Sequence, residues 1–164
     1  MPMDKQDLIA QLRLQLEATA RAARAVHEDA ALEAREGATP DEKREDARAA
    51  HQLGTIGGAQ ARRARQAQAE ADALATFRPA GQLARIALGA IVEIEDDERR
   101  EGRTFFLAPV GAGMTLAGPG GDGVLSVVTP ASPIGKAVIG RRTGDVVDIT
   151  VDGELREWQI TFVA

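Results

Sequence analysis

Thr129 to Val151 reads TPASPIGKAVIGRRTGDVVDITV. Its punctuation is dense enough to fix the local structure. A strand ends at Thr129-Pro130. Ser132 suits a helix N-cap and Pro133 the first helical position, because proline lacks the N–H that a first turn leaves unused. Ile134, Val138 and Ile139 are expected to face a sheet. Gly140 ends the helix, Gly144-Asp145 turns the chain, and a new strand runs from Val146. A single short helix set between strands points to an α+β domain.

Downstream, Val146 to Val151 and Glu154 to Val163 flank Asp152-Gly153, a hairpin-turn dipeptide. Upstream, Val124 to Thr129 reads as a buried strand. Gly89 to Glu95 and Arg103 to Ala108 form a hairpin across the charged turn DDERREG, and Met114 to Ala117 is a short strand in a glycine-rich region. Together these predict a strongly bent antiparallel sheet of five or six strands with one helix against it. The stretch GPGGDG at Gly118 to Gly123 lacks the Lys-Ser/Thr of a phosphate-binding loop and precedes no helix, so it reads as a hairpin loop.

The composition changes near Phe77-Arg78-Pro79. Before it the chain is rich in Ala, Arg, Glu and Gln, which lose little side-chain freedom in a helix. From Asp4 to Glu36, Ile9, Leu12, Leu16, Thr19, Ala23, Val26 and Ala30 alternate spacings of three and four, a one-sided helical seam. Gly37 to Pro40 breaks the run. Thr39-Pro40-Asp41-Glu42 then signals a helix start with a capping box, and the second helix continues to about Thr76 with Leu53, Ile56, Ala64, Ala67, Ala71 and Leu74 on its apolar side. Gly54, Gly57 and Gly58 mark a bend or a close helix–helix contact. The expectation is an antiparallel helical hairpin, about 50 Å long at 1.5 Å per residue, over residues 1–78, followed by a small domain over 79–164.

Several function classes are disfavoured. The net charge is −5, with 12 basic and 13 acidic residues up to Arg78 and 8 and 12 beyond it. Neither part carries the clustered cations that phosphate-backbone binding needs. With no Tyr, one Trp and four Phe, a base-stacking platform is missing. Cysteine is absent, so there is no thiolate nucleophile and no thiolate metal site. His27 and His51 fall in predicted helices and read as surface residues. No stretch approaches the length of a membrane span, and the N-terminus has no signal-peptide core, so the expected location is the cytoplasm. No nucleophile–base pair is evident, and the chain is not expected to be an enzyme.

Ser132-Pro133-Ile134-Gly135-Lys136-Ala137-Val138-Ile139-Gly140 followed by Gly144-Asp145-Val146-Val147, with Leu88 to Asp96 as a first strand and Trp158-Gln159-Ile160 in a last one, resembles the C-terminal domain of the GreA/GreB-type bacterial transcription elongation factors. The helical hairpin ahead of it matches that family in layout. The resemblance implies an FKBP-like C-terminal domain that docks at the rim of the secondary channel of RNA polymerase, and a coiled-coil hairpin that enters the channel. It places the partner surface at Ser132, Pro133, Ile134, Gly135, Lys136, Arg141 and Arg142. It also implies that acidic residues at the hairpin turn help hold a Mg²⁺ shared with the polymerase active site, where the polymerase cleaves its own backtracked RNA; no cofactor would be bound stably by the chain alone. Here those carboxylates are Asp41, Glu42, Glu45 and Asp46, as i,i+4 pairs on shared helix faces.

Asp41 and Glu42 also have a folding role, since acids in a first turn complement the helix dipole. The tip departs from the cleavage-competent pattern in lacking an aromatic and an Asn, and it contains Lys43 and Arg44. Three readings follow: a channel regulator that stimulates cleavage, a non-cleaving regulator or inhibitor with the same fold, or a coiled-coil adaptor with another partner. A prolyl isomerase on the FKBP-like domain would need an aromatic-lined pocket. Contact with nascent RNA is expected only within the elongation complex, with no membrane partner and no sequence-specific DNA binding, and the chain is expected to be a monomer.

Overall fold

The computed structural model describes residues 4–36, 43–118 and 123–164, with the side chains of 34–36 and 43–56 outside that description. The elements follow as α1 (Lys5–Glu36), α2 (Lys43–Thr76), β1 (Ile91–Asp96), β2 (Glu101–Leu107), β3 (Thr115–Ala117), β4 (Val124–Val128), α3 (Pro133–Val138), β5 (Val146–Val151) and β6 (Glu154–Val163). They form two compact units, Arg13–Asp72 and Met1–Leu12 with Ala73–Ala164. Among the described residues no helix is long and apolar enough to cross a membrane. The proposed cap at Thr39 to Glu42 lies outside the described residues.

The helical unit pairs α1 and α2 through small side chains. Leu16, Ala20 and Ala23 are buried on α1, and Ala64, Ala67 and Ala71 on α2. The seam on α1 departs from the expected one. Ala20 and His27 occupy it in place of Thr19 and Val26; Val26 is 45% exposed, and the Thr19 hydroxyl donates to the Gln15 carbonyl one turn back. A helix of 3.6 residues per turn takes two successive spacings of four here, Leu12 to Leu16 to Ala20, where a strict heptad alternates three and four, and the seam continues through Ala23 and His27. His27 is therefore half-buried, not a surface residue. Its Nδ1 lies 2.8 Å from the Gly57 carbonyl oxygen, an acceptor, which places a proton on Nδ1. Gly57 is the close helix–helix contact: a Cβ there would sit 3.3 Å from His27 Nδ1 and 3.7 Å from the Ala30 Cβ. The helix runs through it without a break.

In the other unit the sheet order is β3-β4-β2-β1-β6-β5. It is mixed, a correction to the antiparallel expectation, because β4 pairs with β2 in parallel. The segment after β2 passes through Gly111 and Gly113, both at positive φ, lays β3 at the edge, and returns as β4 between β3 and β2. Every other pairing is antiparallel. Asp152 and Gly153 both have positive φ, as the tight turn between β5 and β6 requires. A bulge at Thr161, where Glu93 opposes Phe162 and Ile94 opposes Ile160, adds local twist.

One face of the sheet packs Val92, Ile94, Phe105, Leu107, Val128, Val147, Ile149, Val151, Trp158 and Ile160 with Ile86 and with Val138 of α3. At the β3–β4–β2 end the other face buries Phe106, Leu116, Leu125 and Val127, so β4 is half-buried, with Val124 65% exposed. The first turns of α1 belong here. Leu8, Ile9 and Leu12 are buried. The Gln11 amide accepts from Ala117 N (2.9 Å) and donates to Ala117 O (3.1 Å), satisfying the backbone of the edge strand. Lys5 Nζ donates to the carbonyls of Ala80 (3.0 Å) and Gly81 (2.7 Å), and burial pushes its pKa down.

The two glycines of α2 are expected to respond in opposite directions. Gly58→Ala meets only the flexible end of Arg62 at 3.7 Å and should stabilise the helical unit by about 1 kcal/mol. Gly57→Leu must push α1 away and should cost about 1–3 kcal/mol. Urea unfolding followed by helical circular dichroism measures both; equal effects would contradict the contact.

Candidate functional site

The turn from β4 into α3 is held by three hydrogen bonds. Ser132 Oγ donates to the Thr129 carbonyl (2.7 Å) and accepts from Gly135 N (3.1 Å), and Ser132 N donates to the same carbonyl (3.0 Å). Gly135 is buried against that carbonyl, where a Cβ would lie 2.0 Å from the oxygen; no side chain fits. Pro133 occupies the first turn and Ile134 packs against the core. Of the seven residues expected to meet a partner, Ser132, Ile134 and Gly135 are thus engaged by the fold. Lys136, Arg141 and Arg142 are exposed.

Two residues that sequence reasoning missed join these three. Ile139 was expected on the sheet, but α3 ends at Val138, and extended backbone at Ile139 (φ −54°, ψ 132°) turns its side chain outward, 43% exposed. Arg85 comes from a distant segment. Gly140 N donates to Ile86 O and Ile86 N to Arg141 O, each 2.8 Å, while Arg85 Nη1 donates to Gly140 O at 3.0 Å. No sequence signal announces that pairing. Arg85, Lys136, Ile139, Arg141 and Arg142 are all exposed, on segments that these hydrogen bonds and α3 join.

A second feature lies on the helix-covered face of the sheet. Strand alternation puts Asp96, Glu101, Arg103, Arg156 and Trp158 on the core side. Arg156 is buried; its Nε donates to Asp96 Oδ2 (2.8 Å), and Nη2 lies 2.6 Å from that oxygen and 2.7 Å from Glu101 Oε2. Its guanidinium stacks over Trp158 at 4.6 Å, with Arg103 at 5.8 Å. Asp96 Oδ1 accepts from the N–H groups of Glu98 and Arg99. Desolvation raises the Asp96 pKa, but the Arg156 hydrogen bond, the Arg99 N–H and the Arg156 charge outweigh it, and the net shift is downward. The Arg156 hydrogen bond, followed by that from Arg103, lowers Glu101 against its own desolvation. Arg156 is raised in turn, first by Glu101.

Beside this network a cleft of about 460 Å³ is lined by residues of β2 and β4 and by Ile134. Its one aromatic residue, Phe105, is itself buried, so the aromatic-lined pocket of a prolyl isomerase is not formed there. Among the described residues no group of three or more His, Asp or Glu side chains could hold a metal ion. Asp41 and Glu42 lie outside the described residues, as do the side chains of Glu45 and Asp46 near the start of α2.

Residues 81–164, just over half of the chain, match the family described as transcription elongation factor, GreA/GreB, C-term. The chain belongs to the GreA/GreB family. The matched region contains the capped helix, the Gly144-Asp145 turn and the whole sheet. No curated protein matches the chain. Among solved structures it is similar to GreA factor homolog 1 (Gfh1) of Thermus thermophilus, at 20% identity over 95% of this chain and 94% of that one, TM-score 0.41. Gfh1 of Thermus aquaticus is 21% identical over 94% and 92%, TM-score 0.39. The GreA/GreB factor of Nitrosomonas europaea is 15% identical over 60% and 78%, TM-score 0.38.

The Arg156 network predicts a pH dependence. Asp96 and Glu101 have folded-state pKa values below their unfolded ones. Their contribution is therefore complete above pH about 4.5 and is lost as pH falls through the folded values. Asp96→Asn with Glu101→Gln should lower Tm at neutral pH and flatten its fall below pH about 4. Fluorescence of Trp158, the only Trp, reports this unit directly. Parallel acid limbs in wild type and variant would contradict the assignment.

Proposed function

We propose that this GreA/GreB-family chain regulates transcription elongation by binding RNA polymerase at its secondary channel, the sheet unit docking at the rim and the helical hairpin entering. The observation that carries the reading is the family match over residues 81–164, joined to exposed basic and apolar residues next to the family-defining turn. In this reading the chain is not itself an enzyme. It supplies no nucleophile and acts on chemistry that belongs to the polymerase. Cytoplasmic location follows from that partner.

The carboxylates Asp41, Glu42, Glu45 and Asp46 are the proposed contribution to cleavage of backtracked RNA. Mg²⁺ is satisfied by one or two protein carboxylates plus water and phosphate oxygens, so an i,i+4 pair is a sufficient share. This part of the reading rests on the sequence around the hairpin turn. Lys43 and Arg44 reduce the local charge of the six residues Asp41 to Asp46 to −2, which weakens attraction for a cation.

Stalled elongation complexes test both parts. Wild-type protein is expected to bind core polymerase, and replacing all four carboxylates with Ala should leave binding intact. If the tip shares the metal, transcript cleavage falls about a hundredfold or more in that variant. Binding with no cleavage by the wild type assigns the chain as a non-cleaving regulator. Absence of binding at micromolar concentration would remove polymerase as the partner.

A further inference from the structure

α1 turns its buried seam toward α2, yet its most exposed large apolar side chains share a different line. Leu14 is 62% exposed and Leu32 54%. They stand about five turns apart at 3.6 residues per turn, so both side chains leave the helix in the same direction. Between them Ala18, Arg21, Ala25 and Glu28 are exposed as well. The positions from Leu14 to Leu32 alternate spacings of four and three, the repeat of a coiled-coil seam. This line runs on the far side of the helix from the inner one through Leu16, Ala20, Ala23 and His27.

A single exposed leucine needs no explanation. Two on one line with small residues between them form a strip on which a second helix can lie closely, because the distance between packed helices follows the size of the side chains at the contact. Arg21 and Glu28 interrupt the strip. The neighbouring Arg13 pairs with Glu17 one turn on, whereas among the described residues Arg21 and Glu28 take part in no ion pair. Two turns apart, about 10 Å along the axis, they do not reach each other on one helix.

Charge complementarity selects both the occupant and its direction. Laid antiparallel on a second α1, the strip matches itself. Leu14 meets the partner subunit's Leu32, Ala18 meets the partner subunit's Glu28, and Arg21 meets the partner subunit's Ala25. A two-fold axis repeats each layer. Arg21 then lies one layer from the partner subunit's Glu28, and that ion pair forms twice. A parallel pair would set Arg21 on the partner's Arg21 and Glu28 on the partner's Glu28, and like charges repel. Arg24, on the flank of the strip, is turned to α2, where its Nη2 lies 3.5 Å from Gln68 Oε1.

We infer that the outer face of α1 is a self-association surface through which two copies of the chain pair as an antiparallel coiled coil. A monomer is the expectation from sequence; this uncovered second seam argues for a dimer. The leucine layers at its two ends supply apolar contact, the alanines allow close approach, and the Arg21–Glu28 pairs set direction and register. The inference concerns the chain alone and does not depend on the polymerase reading.

The chain has no cysteine, so introduced cysteines report the geometry without background. Sedimentation equilibrium of the full chain between about 5 and 500 µM covers the range expected of one helix pair, which buries less than a standard interface. Wild type should approach twice the monomer mass at the upper end. Leu14→Ala/Leu32→Ala should weaken association about tenfold or more. Arg21→Glu and Glu28→Arg should each weaken it severalfold, and the two together should restore it. On mild oxidation, Leu14→Cys mixed with Leu32→Cys should give a disulfide-linked dimer, and Leu14→Cys alone should not. Helical circular dichroism confirms that each variant folds. A wild type that stays monomeric to about 500 µM overturns the inference. So does association untouched by the leucine variant, a charge swap that fails to restore it, or a disulfide formed by Leu14→Cys alone, which marks a parallel pair. Each of these outcomes leaves the polymerase reading standing.

Discussion

The approach of α3 to the end of its own preceding strand is the constraint on which the sheet unit depends. Gly135 lies so close to the Thr129 carbonyl that any Cβ would overlap it, and Ser132 bridges the same carbonyl to the helix N-terminus. This brings a six-residue helix, too short to be stable alone, down onto the sheet. There Val138 reaches the core formed by β1, β2, β5 and β6. The helix ends at Val138, and extended backbone at Ile139 turns that side chain outward.

The same stretch was the most legible part of the chain, for a physical reason. Caps, proline at the first helical position, glycine after the helix and tight-turn dipeptides are local, and each residue type has few alternatives. All six strands and α3 could be located from such signals. What could not be located was anything that depends on pairing across the sheet. The parallel register of β4 against β2, and with it the mixed sheet, follows from which edge β3 takes, and short glycine-rich connections do not encode that choice. Likewise Asp96, Glu101 and Arg156 look like ordinary alternating strand and turn residues until β1, β2 and β6 are laid side by side.

The candidate site shows the same division. Lys136, Arg141 and Arg142 were legible because they lie within the turn. Arg85 was not, since only two backbone hydrogen bonds between Ile86 and the 140–141 segment bring it there. Ile139 was misplaced because helical periodicity was carried one residue past Val138, the last helical residue, onto the C-cap itself. The hairpin seam erred in a similar way. Alanines on several faces of α1 give no contrast to distinguish Thr19 and Val26 from Ala20 and His27, and the decisive residue lies on the other helix.

That residue has a consequence for how the hairpin is indexed. Interfaces made of alanine are smooth: sliding one helix past the other by a turn, about 5.4 Å, would again set small residues against small ones at nearly equal energy. His27 against Gly57 breaks this degeneracy. The imidazole lies against a position with no side chain, and its N–H meets the Gly57 carbonyl there. One polar contact thus acts as the notch of a ruler, as a single buried polar residue does in other coiled coils. It fixes which residues of α1 and α2 stand opposite one another.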